Sequence, residues 1–160
     1  MQALGQLENK STPQKNEAGV QWPTQFYGKR KKAKSVAGLD LKSALLVRNS
    51  LDFHQALVKR DLKAIRFRTS NYLSYGHSNG WVETQEEQLR NIETGYLIYH
   101  SFQEDSITVS SQSQLDFNAT IDVTLNGKRN TYRLKVTEVW AAIPGGGKGY
   151  HLICRKSIRL

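Results

Sequence analysis

Apolar residues recur at helical spacing in Leu39–Ser70, the first part of the chain with a sustained period. The spacings are mostly those that return to one helix face, with intervals of four, one, seven, four and eight residues between Leu41, Leu45, Leu46, Phe53, Leu57 and Ile65. Asp40 and Asp61 precede these runs, and a carboxylate at such a position accepts hydrogen bonds from free backbone N–H groups. The pattern predicts a long amphipathic helix capped by Asp40 and ending near Lys59, then a shorter helix capped by Asp61.

A short strand, a tight turn and a third helix are predicted next. The stretch "NYLSYGHSNGWV" reverses at His77–Gly80, where an Asn-Gly pair allows the backbone conformations that a tight turn needs. Thr84 is followed three residues later by Glu87, the spacing of a capping box at a helix start. Gly95 is typical of a helix end, so the third helix is predicted between Thr84 and Gly95.

After Gly95 the chain changes to the strict alternation that is typical of half-buried strands. The stretch "QLDFNATIDVTL" shows it most clearly, and Asn126–Gly127 then closes a hairpin. A glycine-rich loop, Pro144–Gly149, joins the last two strands. The pattern predicts a four-strand antiparallel meander and an α+β fold, in which one curved, cone-shaped sheet wraps around the N-terminal helices with further short strands.

Residues 1–38 differ from the rest of the chain in charge and pattern. They carry seven basic and two acidic side chains, a net of +5 out of the formal +9 of the whole chain, and show no sustained period. This composition predicts a flexible basic arm in front of a domain at residues 39–160. Because the domain is only mildly basic, no nucleic-acid contact is expected except through the cluster Lys29–Lys34, for which a solvated linker is the alternative.

Several classes of protein are excluded by what the sequence lacks. No run of eighteen apolar residues exists, so no membrane span is predicted. The N-terminus has no apolar h-region, which predicts a cytoplasmic location for the sequence as written and leaves export of a longer precursor open. One cysteine, Cys154, excludes an internal disulfide. Metal-ligand and cofactor motifs are also missing, so no metal and no cofactor are predicted.

Two charged residues fall on faces that otherwise read as apolar. Alternation in the penultimate strand groups Tyr132, Leu134, Val136, Glu138 and Trp140. Alternation in the last strand groups Tyr150, Leu152, Cys154, Lys156 and Ile158. Because a buried ionisable group needs a partner, we predict that Glu138 pairs with Lys156. The pair is either a tuned acid or base in a cavity or a structural ion pair.

Histidines and tyrosines provide the other candidate chemistry. Tyr75 and His77 alternate to one side of the predicted turn. His77 is either a general base, since its ordinary pKa lies near neutrality, or a hydrogen-bond donor that holds the corner shut. Tyr99 is expected inside if Leu97 points inward. His54, beside Phe53 on the first helix, is expected at the border of its buried face.

Four stretches together resemble a known family. They are "FHQALVKRDLKAI", "YGHSNGWVET", "LKVTEVWA" and "HLICRKSIRL". In this order they resemble the SnoaL-like branch of the nuclear-transport-factor-2-like superfamily, over about three quarters of the chain. The resemblance implies a cone-shaped fold like that of ketosteroid-isomerase-like proteins, a pocket between sheet and helices, and often a homodimer. Lys156 departs from the family pattern, since a glutamine is usual there.

Members of this superfamily include both binding modules and enzymes, so the resemblance leaves two functions open. The first is a module, expected to be homodimeric, that binds a small, partly apolar molecule. The pocket would be lined by Tyr75, His77, Tyr99, Glu138, Trp140 and Lys156. The second is an isomerase, dehydratase or cyclase in which His77 or Glu138 transfers a proton.

Overall fold

The computed structural model describes residues 39–146 and 149–160, together with the backbone of two short strands in the N-terminal segment. These strands, β1 (Gln14–Lys15) and β2 (Gln21–Trp22), pair antiparallel with Gln14 opposite Trp22. The rest of residues 1–38, including the cluster Lys29–Lys34, lies outside the described residues. The flexible basic arm therefore stays a prediction.

All three predicted helices are present with the predicted caps. They are α1 (Leu41–Lys59), α2 (Leu62–Arg68) and α3 (Gln85–Glu93). The Asp40 carboxylate accepts from the backbone N–H of Ser43 at 2.8 Å, and the Asp61 carboxylate caps α2 in the same way. Thr84 forms the predicted capping box at the start of α3. None of the described helices is long and apolar enough to cross a membrane.

One curved, unclosed sheet forms the other layer of the domain. Its strands are β3 (Thr69–Gly76), β4 (Val82–Glu83), β5 (Leu97–Ser111), β6 (Gln114–Leu125), β7 (Lys128–Ala142) and β8 (Tyr150–Arg159). Their order across the sheet is β4-β3-β8-β7-β6-β5. Strands β5 to β8 are the predicted antiparallel meander, and β3 joins it by pairing parallel with β8. The α+β fold predicted from the sequence is confirmed.

The core lies where α1 crosses the inner face of this sheet. Fully buried side chains of α1, such as Phe53 and Leu57, belong to one apolar cluster with Val136 and Trp140 of β7. The rings of Phe53 and Trp140 meet edge to face, with centroids 6.2 Å apart. Full burial of a large apolar side chain contributes roughly 1.5–3 kcal/mol, so this layer fixes α1 against the strands that carry the polar groups described below.

A bulge in β8 changes which of its side chains point inward. Val139 lies opposite Cys154, but the next residue of β7, Trp140, lies opposite Leu152, so Ile153 is an extra residue. An extra residue reverses the alternation of the strand beyond it. Leu152 is therefore buried before the bulge, whereas Arg155 and Ser157 are buried after it.

The predicted Glu138–Lys156 pair is wrong for this reason. Lys156 lies opposite Thr137 and is exposed on the outer face, whereas Glu138 lies opposite Arg155 and is fully buried. The bulge also turns Ile158 outward, where it is 60% exposed. The predicted inner face of β7 is correct, because that strand keeps one alternation from Leu134 to Trp140.

Candidate functional site

His54 lies between two buried carboxylates in the interior of the domain. Its Nδ1 is 2.8 Å from Oε1 of Glu104 on β5, and its Nε2 is 2.7 Å from Oε1 of Glu138 on β7. The three side chains are at most 1% exposed. We call this group the Glu104–His54–Glu138 cluster. The expectation that His54 lies at the border of the helix face is wrong.

The second carboxylate oxygen of Glu138 is also fully engaged. Its Oε2 accepts hydrogen bonds from Oγ of Ser50 at 2.7 Å and from Nε1 of Trp140 at 3.1 Å. Ser50 and His54 are one helical turn apart on α1, so their side chains reach the same carboxylate from one face of the helix. Ser50, His54 and Trp140 thus satisfy both carboxylate oxygens of Glu138 within the core.

Charge and hydrogen bonding determine the protonation of His54. Burial alone favours the neutral imidazole, but it is outweighed by the charge of Glu138 and by the hydrogen bonds that Glu104 and Glu138 accept from the ring, so the pKa of His54 is raised. The imidazolium form donates an N–H to each carboxylate. The ring also stacks on Phe102, with centroids 3.9 Å apart. The imidazolium is therefore held by hydrogen bonds at both ring nitrogens and by stacking against one face of the ring.

His77 bonds across its own turn and to a buried carboxylate. Its backbone N–H donates to the carbonyl of Trp81 at 2.7 Å, and its Nε2 is 2.7 Å from Oε2 of Glu83. The other carboxylate oxygen of Glu83 accepts from Nδ2 of Asn91 at 2.7 Å. The rings of His77 and Trp81 stack with centroids 4.5 Å apart. The turn is therefore a hydrogen-bonded corner that holds the imidazole in place.

A cavity of about 60 Å³ lies beside this corner, against the inner face of the meander. One part of its wall is apolar and comes from Trp81, Leu97, Ile121, Val123, Leu125 and Leu134. The other part is polar and comes from His77, Tyr99, Arg155, Ser157 and Arg159. Apolar side chains with a few polar groups among them are the usual lining of a small-molecule site, although this cavity is smaller than most such sites.

Arg155 is the most buried charged side chain of this wall, at 2% exposure. Its Nη1 donates to the carbonyl of Gly76 at 2.7 Å and to Oγ of Ser157 at 3.1 Å. The guanidinium carbon lies 4.5 Å from the centre of the Tyr75 ring, a cation–π contact. Its Nε is buried, and no hydrogen-bond partner for it is present in the described part of the chain.

Two tyrosines meet behind the guanidinium. The hydroxyl of Tyr99 donates to that of Tyr75 at 3.4 Å, a long hydrogen bond. Burial is the main cause that raises the pKa of both hydroxyls, that of Tyr99 well above its ordinary value. Both therefore stay neutral near pH 7, and Tyr99 presents a neutral polar edge to the cavity.

The structure separates the residues predicted for the site into three groups. His77 and Tyr99 line the cavity. Tyr75, Glu138 and Trp140 are buried beneath it or in the core, and Lys156 is exposed on the other face of the sheet. Among the described residues, no group of three or more His, Cys, Asp or Glu side chains is placed to hold a metal ion.

Sequence reasoning missed the polar residues that β8 contributes. Arg155, Ser157 and Arg159 alternate in "RKSIRL" and share one face of the strand. The alternation was visible in the sequence. Which of the two faces is buried was not visible, because the apolar residues before the bulge indicated the opposite face.

Comparison with known proteins shows similarity in structure only. No protein-family model matches the sequence. No curated protein matches it either. Many solved structures do match. An NTF2-like protein of unknown function in nutrient uptake from Rhodospirillum rubrum is similar over 72% of this chain and 98% of its own, with a TM-score of 0.62 and 17% identity.

Two further similar structures belong to proteins of different kinds, an enzyme and a hub domain. A LEH-like epoxide hydrolase from M. tuberculosis is 11% identical over 72% of this chain and 83% of its own, with a TM-score of 0.54. The CaMKII hub of S. rosetta is 11% identical over 72% of this chain and 95% of its own, with a TM-score of 0.55. Such low identities establish shared architecture and leave function open. The chain therefore has the nuclear-transport-factor-2-like fold.

Proposed function

We propose that the protein is a binding module for a small, partly apolar molecule held in the cavity beside the His77–Trp81 corner. The observation that carries the proposal is the composition of the cavity wall. Apolar side chains of β5, β6 and β7 line the same cavity as His77, Tyr99 and Arg155. Such a wall buries an apolar body on one side and orients a polar group on the other.

The surroundings of the cavity favour binding to a preformed site. The corner that forms one side is held by the His77–Glu83 and Glu83–Asn91 hydrogen bonds. The other side belongs to strands β5 to β8, which form one continuous hydrogen-bonded meander. A site that is rigid before the ligand arrives loses less conformational entropy on binding than a mobile one.

A binding experiment with a cavity-filling variant tests the proposal. We would record ligand-observed NMR with a panel of small aryl and alkyl alcohols, amides, carboxylates and amines. Val123 lines the cavity and is 7% exposed, so Val123→Phe fills the space from within. Thr120→Phe adds a ring to the opposite face of the same strand, where the side chain is partly exposed, and is the matched control.

We expect at least one member of the panel to bind the wild-type protein and the Thr120→Phe variant, and to lose binding to Val123→Phe. If no compound binds, or if binding is the same in Val123→Phe, the proposed function is wrong. Circular dichroism of both variants establishes that they are folded before binding is compared.

A homodimer is part of the proposal. It is supported by the similarity to a structure described as a CaMKII hub and by two apolar side chains at the end of β8, Ile158 and Leu160, that are 60% and 61% exposed. Sedimentation velocity should show a dimer that Ile158→Lys dissociates, whereas Tyr72→Lys, at a residue that is 91% exposed elsewhere on the sheet, leaves it intact. A monomeric wild-type protein would contradict this part.

Proton transfer is the second candidate function, and one observation favours it. His77 lines the cavity while its Nε2 bonds to the buried carboxylate of Glu83, an arrangement in which a carboxylate orients a histidine base. A similar fold occurs in an epoxide hydrolase. Glu138, the other predicted base, is fully engaged by Ser50, His54 and Trp140, so this candidate rests on His77.

Hydrogen–deuterium exchange into a bound compound tests the second candidate. A compound from the panel that carries an acidic C–H is incubated with the protein in D2O and followed by NMR. Exchange that the protein accelerates, and that His77→Gln abolishes without loss of binding, would support proton transfer. Equal exchange with and without the protein would leave the binding module as the better function.

A further inference from the structure

We propose that the cavity selects ligands that carry a carboxylate, and that Arg155 is the residue that recognises it. This inference rests on the proposed function and names the chemical class of the ligand. It is carried by the position of the Arg155 guanidinium, by its unsatisfied Nε, and by the charges of the other side chains in the cavity wall.

The guanidinium of Arg155 is held with one edge still to be satisfied. Nη1 is occupied by the carbonyl of Gly76 and by Oγ of Ser157, and the ring of Tyr75 covers one face. The buried Nε has no hydrogen-bond partner among the described residues. A buried donor without a partner carries a free-energy cost, and a ligand acceptor placed against Nε removes that cost.

The shape of the free edge favours a carboxylate over other acceptors. The Nε and Nη2 groups of an arginine form a planar fork whose two N–H bonds are parallel, and both oxygens of a carboxylate match that fork. Tyr75 and the two bonds of Nη1 fix the plane of the fork before a ligand binds. Fixed donors of this kind discriminate better between acceptors than a mobile ammonium does.

The charge of the cavity wall points in the same direction. Arg155 and Arg159 both line the cavity, and none of the described lining residues is an aspartate or glutamate. The nearby carboxylate of Glu83 is already engaged by His77 and Asn91. Arg159 also lies over the ring of Tyr132, at 4.7 Å. An anionic group therefore enters a site lined by two arginines and, among the described residues, by no carboxylate, beside apolar side chains that accept an aryl or alkyl body.

Three probes with the same body and different charge test the inference. Phenylacetate, phenylacetamide and phenethylamine are titrated into the full-length protein at pH 7 by NMR, against wild type, Arg155→Met and Arg155→Lys. The control variant is Arg133→Met, because Arg133 is exposed on the opposite face of β7 and its loss changes the net charge equally. Val123→Phe shows whether a probe occupies the cavity.

We expect phenylacetate to bind wild type about tenfold or more tightly than the amide, because hydrogen bonds to charged groups are the stronger ones. Arg155→Met should remove this advantage, Arg155→Lys should reduce it, and Arg133→Met should leave it unchanged. If Arg155→Met does not fold, the comparison of the three probes on wild type and on Arg155→Lys decides the question.

The outcomes separate this inference from the function on which it rests. If the amide or the amine binds wild type as tightly as phenylacetate, and Val123→Phe blocks it, the cavity binds small molecules but the selection of carboxylates is wrong. If phenylacetate is preferred but Arg155→Lys and Arg155→Met bind it like wild type, Arg155 is not the recognition residue. If no probe and no member of the panel binds, the proposed function fails as well.

Discussion

His54 on α1 and Glu138 on β7 are joined by a 2.7 Å hydrogen bond between Nε2 and Oε1, and both side chains are fully buried. The bond links the long helix to the centre of the meander. Glu104 on β5 holds the other ring nitrogen, so one histidine connects three elements of the fold. These polar groups lie in the core, and the cavity beside the His77–Trp81 corner is a separate feature lined by other residues.

Glu138→Gln should strongly destabilise the protein. The substitution keeps the size of the side chain but leaves the buried His54 imidazolium with one carboxylate instead of two. Removing one partner of a buried ion pair costs about 3–5 kcal/mol, a large part of the stability of a domain of this size. Urea denaturation at pH 6, followed by circular dichroism, measures the free energy of unfolding.

The control for this substitution is an exposed ion pair. Arg66 and Glu86 are 2.6 Å apart on the surface, with side chains 55% and 64% exposed. Glu86→Gln should change the stability little, because exposed pairs are solvated and screened. A Glu138→Gln protein as stable as Glu86→Gln would show that the cluster is not held by the charge of Glu138.

The cluster also predicts how stability depends on pH. The pKa of His54 is raised by folding above its ordinary value of 6.5. The stabilisation from its protonated form is therefore complete below pH 6.5 and is lost as the pH rises through the folded-state pKa. His54→Gln should remove this component from the pH dependence of the unfolding free energy, although it lowers stability at every pH.

The titration itself can be followed by NMR of the histidine rings. His54 should titrate above pH 6.5. His151 should titrate below it, because burial and the charge of Arg68 lower its pKa. The two residues thus serve as controls for each other within one protein. A His54 ring that titrates at or below the pH of His151 would contradict the assignment of an imidazolium to the cluster.

The helices, their caps and the meander could be predicted because each depends on local pattern. Asp40 and Thr84 cap helices through contacts with residues three positions away, and such contacts are visible in a sequence. The position of His54 was not visible, since its partners Glu104 and Glu138 lie 50 and 84 positions away. The local sequence pattern around a histidine on an apolar helix face is the same whether or not distant carboxylates pack against it in the fold.

The part of the candidate site that depends on local pattern could be predicted from the sequence. The residues of β8 beyond its bulge could not. His77 and Tyr99 occupy positions that the turn and the alternation of β5 fix locally, and both line the cavity. Lys156 was misplaced and Arg155 was overlooked, since one extra residue at Ile153 reverses the faces of the strand end. A bulge has no reliable sequence pattern, so both errors have one physical cause.

Gly76→Ala should destabilise the protein and weaken binding in the cavity. A methyl group at this position would lie 2.9 Å from the carbonyl oxygen of Arg155, which is closer than real contacts allow. Strands β3 and β8 must separate, and Arg155 must move with its strand. We expect a loss of about 1–3 kcal/mol in the free energy of unfolding, the usual cost of overpacking.

Ser74→Ala is the matched control for Gly76→Ala, because Ser74 lies two residues earlier on β3 and is exposed. Thermal unfolding and titration with phenylacetate compare the two variants. If Gly76→Ala is destabilised but binds phenylacetate like wild type, the strands accommodate the methyl group without moving Arg155. Equal stability of the two variants would show that the close approach of β3 and β8 is absent in solution.

His77 and Glu83 should be energetically coupled, which a double-mutant cycle measures. Glu83 is fully buried and bonds to His77 and Asn91, so His77→Ala leaves a buried carboxylate with one partner fewer, at a cost of about 1–3 kcal/mol. His100→Ala is the control, because His100 is exposed and bonds to Thr124 on the outer face. In Glu83→Gln the same His77→Ala substitution should cost less, since a neutral amide is cheaper to bury unpaired. A coupling energy near zero would show that the bond does not hold the corner, and it would also weaken the proton-transfer candidate, which uses the same bond to orient His77.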